Sequence, residues 1–374
     1  MVYFDNAATS RYKPRIVKKA LSDTLRHSAN PGRASHDEAI RAAMTVERTR
    51  NALRSYLDAK RANVVFTKNC TEALNLAILG TARPGVHVVT TALEHNSVLR
   101  PLSMLKKEGL ISLTVVQGQH GAITASDIAE AINEKTYLVA VTAMSNVTGY
   151  TPPLNEIGKL CAQKGILLLV DGAQAIGHLP LSVDKVGIDL LCGAGHKSLH
   201  GIMGSGFLIY GKRIFIQPIM YGGTGTESAN LIQPKDPPES LESGTLALPA
   251  IAALETGVIW TAKHEREISL RTKKISQYLH EGIRALGLPL YSLSDSPLLT
   301  FVIPGTDSQT VADILNQEYG ICVRAGLHCA PLLHKALGTE ATGLVRVSIG
   351  YDNTLKDAKR LIYAVKDIAT RLTT

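Results

Sequence analysis

The chain lacks the sequence features that mark membrane-spanning, secreted and metal-stabilised proteins. No apolar run in its 374 residues approaches the roughly 18 residues that a membrane-spanning helix needs. The start has no basic segment followed by an apolar one, so no secretory signal is predicted and a cytoplasmic location is expected. The five cysteines are odd in number, widely spaced and without a C-x-x-C pair. This pattern argues against a disulfide framework and against a zinc site.

Long runs of charge of one sign are also absent, although the chain is basic overall. The formal net charge is +8, but the lysines and arginines are dispersed and no nucleic-acid-binding motif is present. A scattered, solvated surface is the favoured explanation, and attraction of an anionic cofactor or substrate is a further use for the charge. No direct contact with nucleic acid or membrane is expected.

The composition that is present fits an ordinary globular enzyme built from two domains. Hydrophobic residues make up 45% and charged residues 19% of the chain, and its length exceeds that of one small core. Apolar strand-like segments alternate with helical ones and lack a polar face, which is typical of a mainly parallel sheet between helices. A helical pattern over 249–286 then leads to a smaller C-terminal part, in which Cys322 is predicted to be a core residue.

Residues 217–244 form an unusual segment in this pattern. They are rich in Gly, Pro, Ser and Thr and match neither helix nor strand periodicity. The segment is too long for an ordinary connection between two elements, so a functional loop is predicted there.

Lys197 and Asp171 are the most informative pair in the sequence. Lys197 follows an apolar strand-like segment and Gly195-His196, where a lysine could form the Schiff base that usually anchors pyridoxal phosphate. Asp171 ends another apolar run, and a buried carboxylate needs a cationic partner such as a pyridinium N–H. Gln174, three residues on, could reach the phenolic oxygen of the same cofactor. The alternatives are a surface lysine in a glycine-rich loop and an Asp that caps a turn.

Two further positions follow predicted strands at the edge where open α/β sheets form their sites. Cys70 and Thr71 begin a predicted helix, whose free main-chain N–H groups could bind phosphate. A plain helix cap, with Asn69 or these residues, is the alternative. His95 could stack on a pyridine ring or move a proton, although a single histidine is more often structural.

The C-terminal part offers a thiol and a cation. Cys329 lies in a predicted loop beside His328 and near Arg324, which could lower the pKa of its thiol. Arg346, in a strand-like segment, could bind a substrate carboxylate through two parallel hydrogen bonds. An unreactive loop thiol and a strand-edge arginine in a surface ion pair are the alternatives.

Taken together, these residues and their neighbours resemble the class-V aminotransferase family, and within it the cysteine desulfurases. The resemblance covers essentially the whole chain. The form Arg324-x-Gly-x-His-Cys329 is similar to the second desulfurase group, which includes selenocysteine lyase-like members. The motifs that occur in family order are Asp5–Thr9, Ala29–Arg33, Thr71–Asn75, Glu94–Ser97, Ser145–Gly149, Val170–Gln174, Gly195–Lys197, Glu242–Thr245 and Arg324–Cys329.

The resemblance implies the fold of the pyridoxal phosphate-dependent, aspartate aminotransferase-like enzymes (fold type I). In this α/β fold, a large domain over 15–255 would contain a mainly parallel seven-stranded sheet and bind the cofactor. A small α+β domain, formed by 1–14 and 256–374, would carry the active-site cysteine. The resemblance also implies a functional homodimer.

The resemblance further implies a role for each site position. Lys197 would hold pyridoxal phosphate, Asp171 would pair with its ring nitrogen, and His95 would stack over its ring. Gln174 would contact the phenolic oxygen, and Thr71, His196 and the Cys70 main chain would bind the phosphate, while Thr245 would bind the phosphate of the neighbouring subunit. Asn146 would contact both cofactor and substrate, and Arg346 would bind the substrate. His36 and Arg324 would line the pocket, and Cys329 would attack the substrate sulfur.

The implied activity converts L-cysteine to L-alanine, leaves sulfur on Cys329 as a persulfide and passes it to an acceptor protein. A selenocysteine lyase, a class-V aminotransferase and a non-catalytic scaffold are the alternatives. Two departures from the family pattern bear on substrate preference and rate. Ala194 replaces a common hydroxyl residue, so one phosphate hydrogen bond would be missing, and Leu327 replaces a frequent histidine.

Overall fold

The computed structural model describes residues 1–32, 35–119 and 121–373, so Arg33 of the motif Ala29–Arg33 lies outside the described residues. None of the helices in these ranges is both long and apolar enough to cross a membrane. In chain order, the elements are β1 (Val2–Tyr3), α1 (Arg15–Arg26), α2 (Asp37–Tyr56), β2 (Ala62–Thr67), α3 (Cys70–Thr81), β3 (Val86–Thr91), α4 (Asn96–Lys107), β4 (Ile111–Val116), α5 (Ala125–Ala131), β5 (Thr136–Thr142), α6 (Leu154–Lys164), β6 (Leu167–Asp171), α7 (Val183–Val186), β7 (Leu190–Ala194), β8 (Gly206–Gly211), α8 (Leu248–Ala285), β9 (Leu298–Phe301), α9 (Ser308–Tyr319), β10 (Ile321–Cys322), α10 (Pro331–Leu337), β11 (Val345–Ser348) and α11 (Leu355–Thr373).

The central sheet has seven strands within the described ranges, in the order β2-β8-β7-β6-β5-β3-β4. Strand β8 runs antiparallel to both its neighbours, and every other adjacent pair is parallel. This arrangement confirms the predicted α/β fold with a mainly parallel seven-stranded sheet. Because β5, β6 and β7 are parallel neighbours, their carboxyl ends meet at one edge of the sheet.

Both faces of this sheet are buried, which explains why its strands lack a polar face. Alternate residues along one strand enter different apolar clusters: Leu138 and Ala140 of β5 lie in one cluster, and Val139 and Val141 lie in the other. Helices cover each cluster from outside. Packing on both faces positions the residues at the carboxyl edge of the sheet.

A third apolar cluster unites both termini with the C-terminal part of the chain. It contains Val2 and Phe4 together with Ile275, Phe301 and Leu361. Two small sheets belong to this part, a parallel pair of β1 with β10 and an antiparallel pair of β9 with β11. The predicted division into 15–255 and 1–14 plus 256–374 places its boundary inside helix α8, and that division stays a prediction.

The prediction for Cys322 is wrong. Its side chain is only half-buried, because β10 has two residues and pairs with β1 alone among the described strands. The thiol lies 3.8 Å from Asn316 Oδ1, near the surface.

Candidate active site

A cavity of about 170 Å³ lies at the carboxyl edge of the sheet. The last residues of three parallel strands line it, namely Thr142 of β5, Asp171 of β6 and Ala194 of β7. The structure brings most of the predicted site residues to this one cavity, as expected for the carboxyl ends of parallel strands. The predicted residues in its wall are Cys70, Thr71, His95, Asn146, Asp171, Gln174, His196 and Lys197.

Asp171 is buried and held by groups from two elements. Its Oδ1 accepts a hydrogen bond from the main-chain N–H of Ala173 at 2.9 Å and lies 3.6 Å from the Cys70 thiol. Burial, and then the nearby Asp171 charge, raise the pKa of the Cys70 thiol well above its usual value. The thiol therefore stays protonated and donates to the carboxylate. Sequence reasoning assigned only the main chain of Cys70 and missed this contact.

Lys197 follows β7 and shares the cavity with Asp171. Burial lowers the pKa of its amine, Asp171 opposes this shift, and the charges of Arg346 and Arg324 lower the pKa further. A larger fraction of the amine is consequently neutral near pH 7 than for an exposed lysine. A neutral amine is a nucleophile and a base, so the predicted covalent role has the electrostatic setting it requires.

His95 caps helix α4 and presents a defined tautomer. Its Nδ1 accepts a hydrogen bond from the main-chain N–H of Ser97 at 3.0 Å, so the proton of the neutral ring lies on Nε2. Burial lowers the pKa of His95, which favours this neutral form. The Ser97 hydroxyl lies 2.8 Å from Thr71 Oγ1 and links the two predicted residues. The sequence motif Glu94–Ser97 included Ser97 but assigned it no role. Its position in the first turn of a predicted helix could have indicated one.

His196 carries a buried ring nitrogen without a partner. Among the described residues, no group hydrogen-bonds to its Nδ1. Burial lowers the pKa of His196 to about 4, with smaller contributions from the positive charges of Lys197 and Lys13. The ring is neutral at pH 7 and offers a hydrogen bond to a bound group in the cavity.

These residues fit the pyridoxal phosphate that the resemblance implies. Helix α3 begins at the cavity wall, capped by Asn69, whose side chain accepts from Glu72 N–H. The first N–H groups of such a helix have no intrahelical partner and favour an anion. The unpartnered His196 nitrogen, the Asp171 carboxylate and the Lys197 amine complete a set that suits a phosphate, a ring nitrogen and an aldehyde.

Arg346 is buried, which excludes the alternative of a surface ion pair. Its Nη1 donates to the main-chain carbonyl of Asn146 at 3.0 Å, and its Nη2 lies 3.3 Å from Asp5 Oδ1. Its Nε is buried without a partner among the described residues. Burial lowers the pKa of Arg346 to about 10, so the guanidinium remains charged at pH 7 and can bind a carboxylate.

The loop that carries Cys329 is fixed close to the cavity. Both His328 and Cys329 have positive φ values, 50° and 58°, which is strained for residues other than glycine. Asn146 Nδ2 donates to the His328 carbonyl at 2.7 Å, and the Asn96 N–H donates to the Cys329 carbonyl at 2.7 Å. The Cys329 side chain is exposed. The loop therefore displays the thiol beside residues of the cavity wall.

Four predicted positions remain to be described, one in the cavity wall and three outside it. Gln174 is in its wall and donates to the Ala7 carbonyl at 3.1 Å, and Arg324 is exposed and pairs through its main chain with Arg346. The structure of this chain does not bring His36 and Thr245 to the cavity. His36 caps helix α2, and Thr245 lines a separate cavity of about 240 Å³.

The two departures from the family pattern have visible positions. Ala194 lines the smaller cavity without a hydroxyl to offer, and Leu327 is partly exposed in the Cys329 loop. The larger cavity also contains Glu242, whose carboxylate pairs with Arg50 at 2.7 Å. The Glu242 carboxylate is thus already paired, and the reactive side chains Lys197, Asp171 and His95 lie in the cavity of about 170 Å³.

Within the described ranges, no group of three or more His, Cys, Asp or Glu side chains could hold a metal ion.

Comparisons with known proteins agree with this geometry. A sequence profile of the family described as aminotransferase class-V matches residues 2–361. A probable cysteine desulfurase of Methanothermobacter thermautotrophicus is 32% identical over 98% of this chain and 94% of its own. An apo cysteine desulfurase from Thermococcus onnurineus superimposes with a TM-score of 0.93 at 31% identity, over 99% of this chain and 95% of that one. The cysteine desulfurase CsdA of Escherichia coli gives 0.87 at 28% identity, over 99% and 94%.

Proposed function

Because this chain belongs to the class-V aminotransferase family, and within it to the cysteine desulfurases, we propose that it removes sulfur from L-cysteine and releases L-alanine. The observation that carries the proposal is a single cavity that contains Lys197, Asp171 and His95, beside a fixed loop that exposes Cys329. The sulfur would leave on Cys329 and pass to an acceptor protein. Free thiols at all five cysteines suit a reducing compartment such as the cytoplasm.

Pyridoxal phosphate is the proposed cofactor, held by side chains of this chain. Lys197 would bind it covalently, Asp171 would hold its ring nitrogen, and His95 would contact its ring. Thr71, His196 and the Cys70 main chain would hold the phosphate, with Gln174 at the phenolic oxygen and Asn146 at the cavity wall. When bound, the cofactor supplies an electron sink for negative charge at the substrate α-carbon.

Arg346 and Asn146 would orient the substrate. The buried guanidinium of Arg346 offers its unpartnered Nε to a carboxylate, and a carboxylate bound there would offset part of the cost of burying the charge. Asn146 connects this arginine with the Cys329 loop through its own carbonyl and side chain. Binding of the substrate carboxylate would thus place its sulfur on the side of Cys329, with Arg324 at the entrance.

Two groups of the chain would perform the chemical steps. The Lys197 amine, whose pKa is lowered by burial, would accept the α-proton of the substrate. The Cys329 thiolate would then attack the substrate sulfur, so that an S–S bond forms while the Cβ–S bond breaks. The electron pair of the broken bond stays on Cβ, which gains a proton to become the methyl group, and the proton held by Lys197 would return to the α-carbon, so that alanine leaves and the Lys197 amine is neutral again. The remaining Cys329 persulfide passes its outer sulfur to a thiol acceptor.

A homodimer is proposed as the active assembly. Thr245 lies outside the catalytic cavity of its own chain, so a role at the phosphate requires a second subunit. Large apolar side chains are exposed in and near the segment 217–244, which supports burial of this region between subunits. They are Met203, Phe215, Tyr221, Leu231 and Ile232. Sedimentation analysis tests this proposal, and a monomer with full activity would contradict it.

Alanine release from L-cysteine and from L-selenocysteine, with reductant present, tests the proposed reaction. We expect Cys329→Ala to reduce alanine release from L-cysteine by at least about 100-fold, since the nucleophile is lost. Cys322→Ala is the matched control and should resemble wild type, because that thiol lies away from the cavity. Activity of Cys329→Ala with L-selenocysteine alone would favour a selenocysteine lyase. Absence of alanine from both substrates in wild type would contradict the proposed function.

A further inference from the structure

The main-chain carbonyl of His196 accepts hydrogen bonds from four donors in the N-terminal segment. The Thr9 and Ser10 hydroxyls and the Ser10 N–H each lie 3.1 Å from it, and Lys13 Nζ lies 3.2 Å from it. Lys13 Nζ also donates to Ser10 Oγ at 2.8 Å. A carbonyl oxygen has two lone pairs, so four donors are more than this oxygen needs to satisfy its hydrogen-bonding capacity.

The carbonyls on either side of His196 are held differently. The Gly195 carbonyl accepts from Gly201 N–H at 2.8 Å, and the Lys197 carbonyl accepts from His200 N–H at 2.9 Å. Both are therefore closed within the loop that carries Lys197. The His196 carbonyl is instead held by a distant part of the sequence. Because a peptide unit is planar, fixing this carbonyl fixes the plane between the His196 and Lys197 α-carbons.

Lys13 is unusual among the lysines because its amine is partly buried without a carboxylate partner. No ion pair involves it within the described ranges. Burial alone lowers the pKa of Lys13 to about 8. Its charge also lowers the pKa values of His196 and His200. Because no ion pair explains the partial burial of this lysine, its role must lie in its hydrogen bonds. These join it to Ser10 Oγ and to the peptide between His196 and Lys197.

The same N-terminal segment contacts two other site residues. The Ala7 carbonyl accepts from Gln174 Nε2 at 3.1 Å, and Asp5 pairs with Arg346 at 3.3 Å. We call residues 5–13 the N-terminal strap. It contacts, in order, an arginine from β11, a glutamine after β6 and the loop after β7.

We propose that Lys13 is a positioning residue, whose ammonium group, together with Thr9 and Ser10, holds the His196 carbonyl and thereby orients Lys197 and the His196 ring. The inference rests on the proposed function, because it concerns the attachment of pyridoxal phosphate to Lys197. Lys13 acts through this peptide: it hydrogen-bonds to the main chain of His196 and does not itself line the cavity. Loss of its hydrogen bond would leave the His196 carbonyl to Thr9 and Ser10 and remove the charged donor that also holds Ser10 Oγ, so the His196–Lys197 peptide would be held less firmly.

Cofactor binding to apo protein tests this inference. We measure the Kd of pyridoxal phosphate by fluorescence quenching, and the fraction fixed to Lys197 after borohydride reduction. Lys13→Met should weaken cofactor binding about tenfold and lower the fixed fraction, whereas Lys13→Arg should recover most of both. Lys18→Met, the same change at an exposed position in α1, is the control and should resemble wild type.

The outcomes separate the two proposals. If wild type does not bind pyridoxal phosphate, the proposed function fails and this inference fails with it. If wild type binds and Lys13→Met equals Lys18→Met, this inference alone is overturned. A purely structural role would lower the Tm of the apo protein and leave the fixed fraction of the folded protein unchanged, which would also overturn it. If Lys13→Met fails to fold, the milder variant Ser10→Ala serves as the test, and it should weaken cofactor binding about threefold. A Ser10→Ala variant that binds the cofactor as tightly as wild type would then overturn the inference.

Discussion

Asp171 shows how single contacts set the chemistry of the site. Its carboxylate ends a buried strand and receives hydrogen bonds from a main-chain N–H and from the Cys70 thiol. The thiol belongs to α3, whereas the carboxylate belongs to β6. One side chain therefore links the helix proposed to bind phosphate with the carboxylate proposed to bind the ring nitrogen.

Substitution of Cys70 tests the value of this link. We expect Cys70→Ala to lower kcat/KM for alanine release by about threefold, or roughly 0.7 kcal/mol, because the Asp171 carboxylate loses a thiol, which is a weak hydrogen-bond donor. Cys70→Ser keeps a donor and should retain near wild-type activity. Cys161→Ala, in the core away from the cavity, controls for the general loss of a buried thiol. Equal kcat/KM for Cys70→Ala and wild type would contradict the prediction.

At the residue scale, the sequence was sufficient to identify residues with characteristic chemistry. It was insufficient to identify residues that only position other residues. Lys197 and Asp171 could be found because each follows an apolar strand in which a charged side chain is unusual. Lys13 and Ser97 have no such context, since their partners are distant in sequence or are main-chain atoms. The roles of individual residues at the cofactor stay predictions.

Glu94 connects two strands at the element scale. Its side chain is fully buried, and its Oε1 accepts from Thr91 Oγ1 at 2.7 Å and from Thr142 N–H at 3.0 Å. These partners are the last residues of β3 and β5. Burial raises the pKa of Glu94 to about 8, so the folded protein holds this carboxyl protonated at pH 7.

This carboxyl predicts a pH dependence of stability. Between pH 4.5 and about 8, the unfolded chain has lost the proton that the folded chain keeps, so the free energy of unfolding falls as the pH rises. The contribution lost over this window is on the order of 3–5 kcal/mol. Glu94→Gln removes the ionisation. Urea unfolding of apo protein at pH 5 and pH 8 should therefore show a smaller decrease for the variant than for wild type, and parallel decreases would refute the assignment.

The helical pattern predicted over 249–286 matches α8 to within one residue at each end, whereas the short elements β1 and α7 were not predicted. Strand β1 has two residues and exists because it pairs with β10, and α7 has four residues. No local pattern can specify elements that depend on a distant partner. Helix α9 was missed although Asp307 caps its start and Gly320 ends it with a positive φ, so its sequence did contain the necessary signals.

Buried neutral histidines affect the stability of the whole molecule. His200 packs against Trp260 and hydrogen-bonds to the Tyr12 carbonyl, and His328 hydrogen-bonds to the Leu344 carbonyl. Both rings are buried. Burial lowers the pKa of His200 to about 4 and that of His328 to about 2. The fold therefore excludes protons that the unfolded chain binds below pH 6.5.

Acid should destabilise the protein for this reason. The stability that neutral His200 contributes is present above pH 6.5 and is lost as the pH falls toward 4, by on the order of 3 kcal/mol. His200→Asn cannot be protonated in this range, so its free energy of unfolding should change less than that of wild type between pH 7 and pH 4.5. Denaturant unfolding at both pH values measures the difference. An equal change in both proteins would contradict the prediction.

Helix α8 has a mechanical consequence for the molecule. It runs for 38 residues, or about 57 Å at about 1.5 Å per residue. Its first turns pack in a cluster beside the central sheet, through Leu248 and Leu254, and its last turns pack in the cluster of the termini, through Leu279 and Ile283. One continuous helix thus joins the two apolar cores. A hinge motion between the two cores would require this helix to bend, so the proposed transfer of sulfur to Cys329 should take place with both cores in their present relation, at the position where Asn146 and Asn96 hold the Cys329 loop.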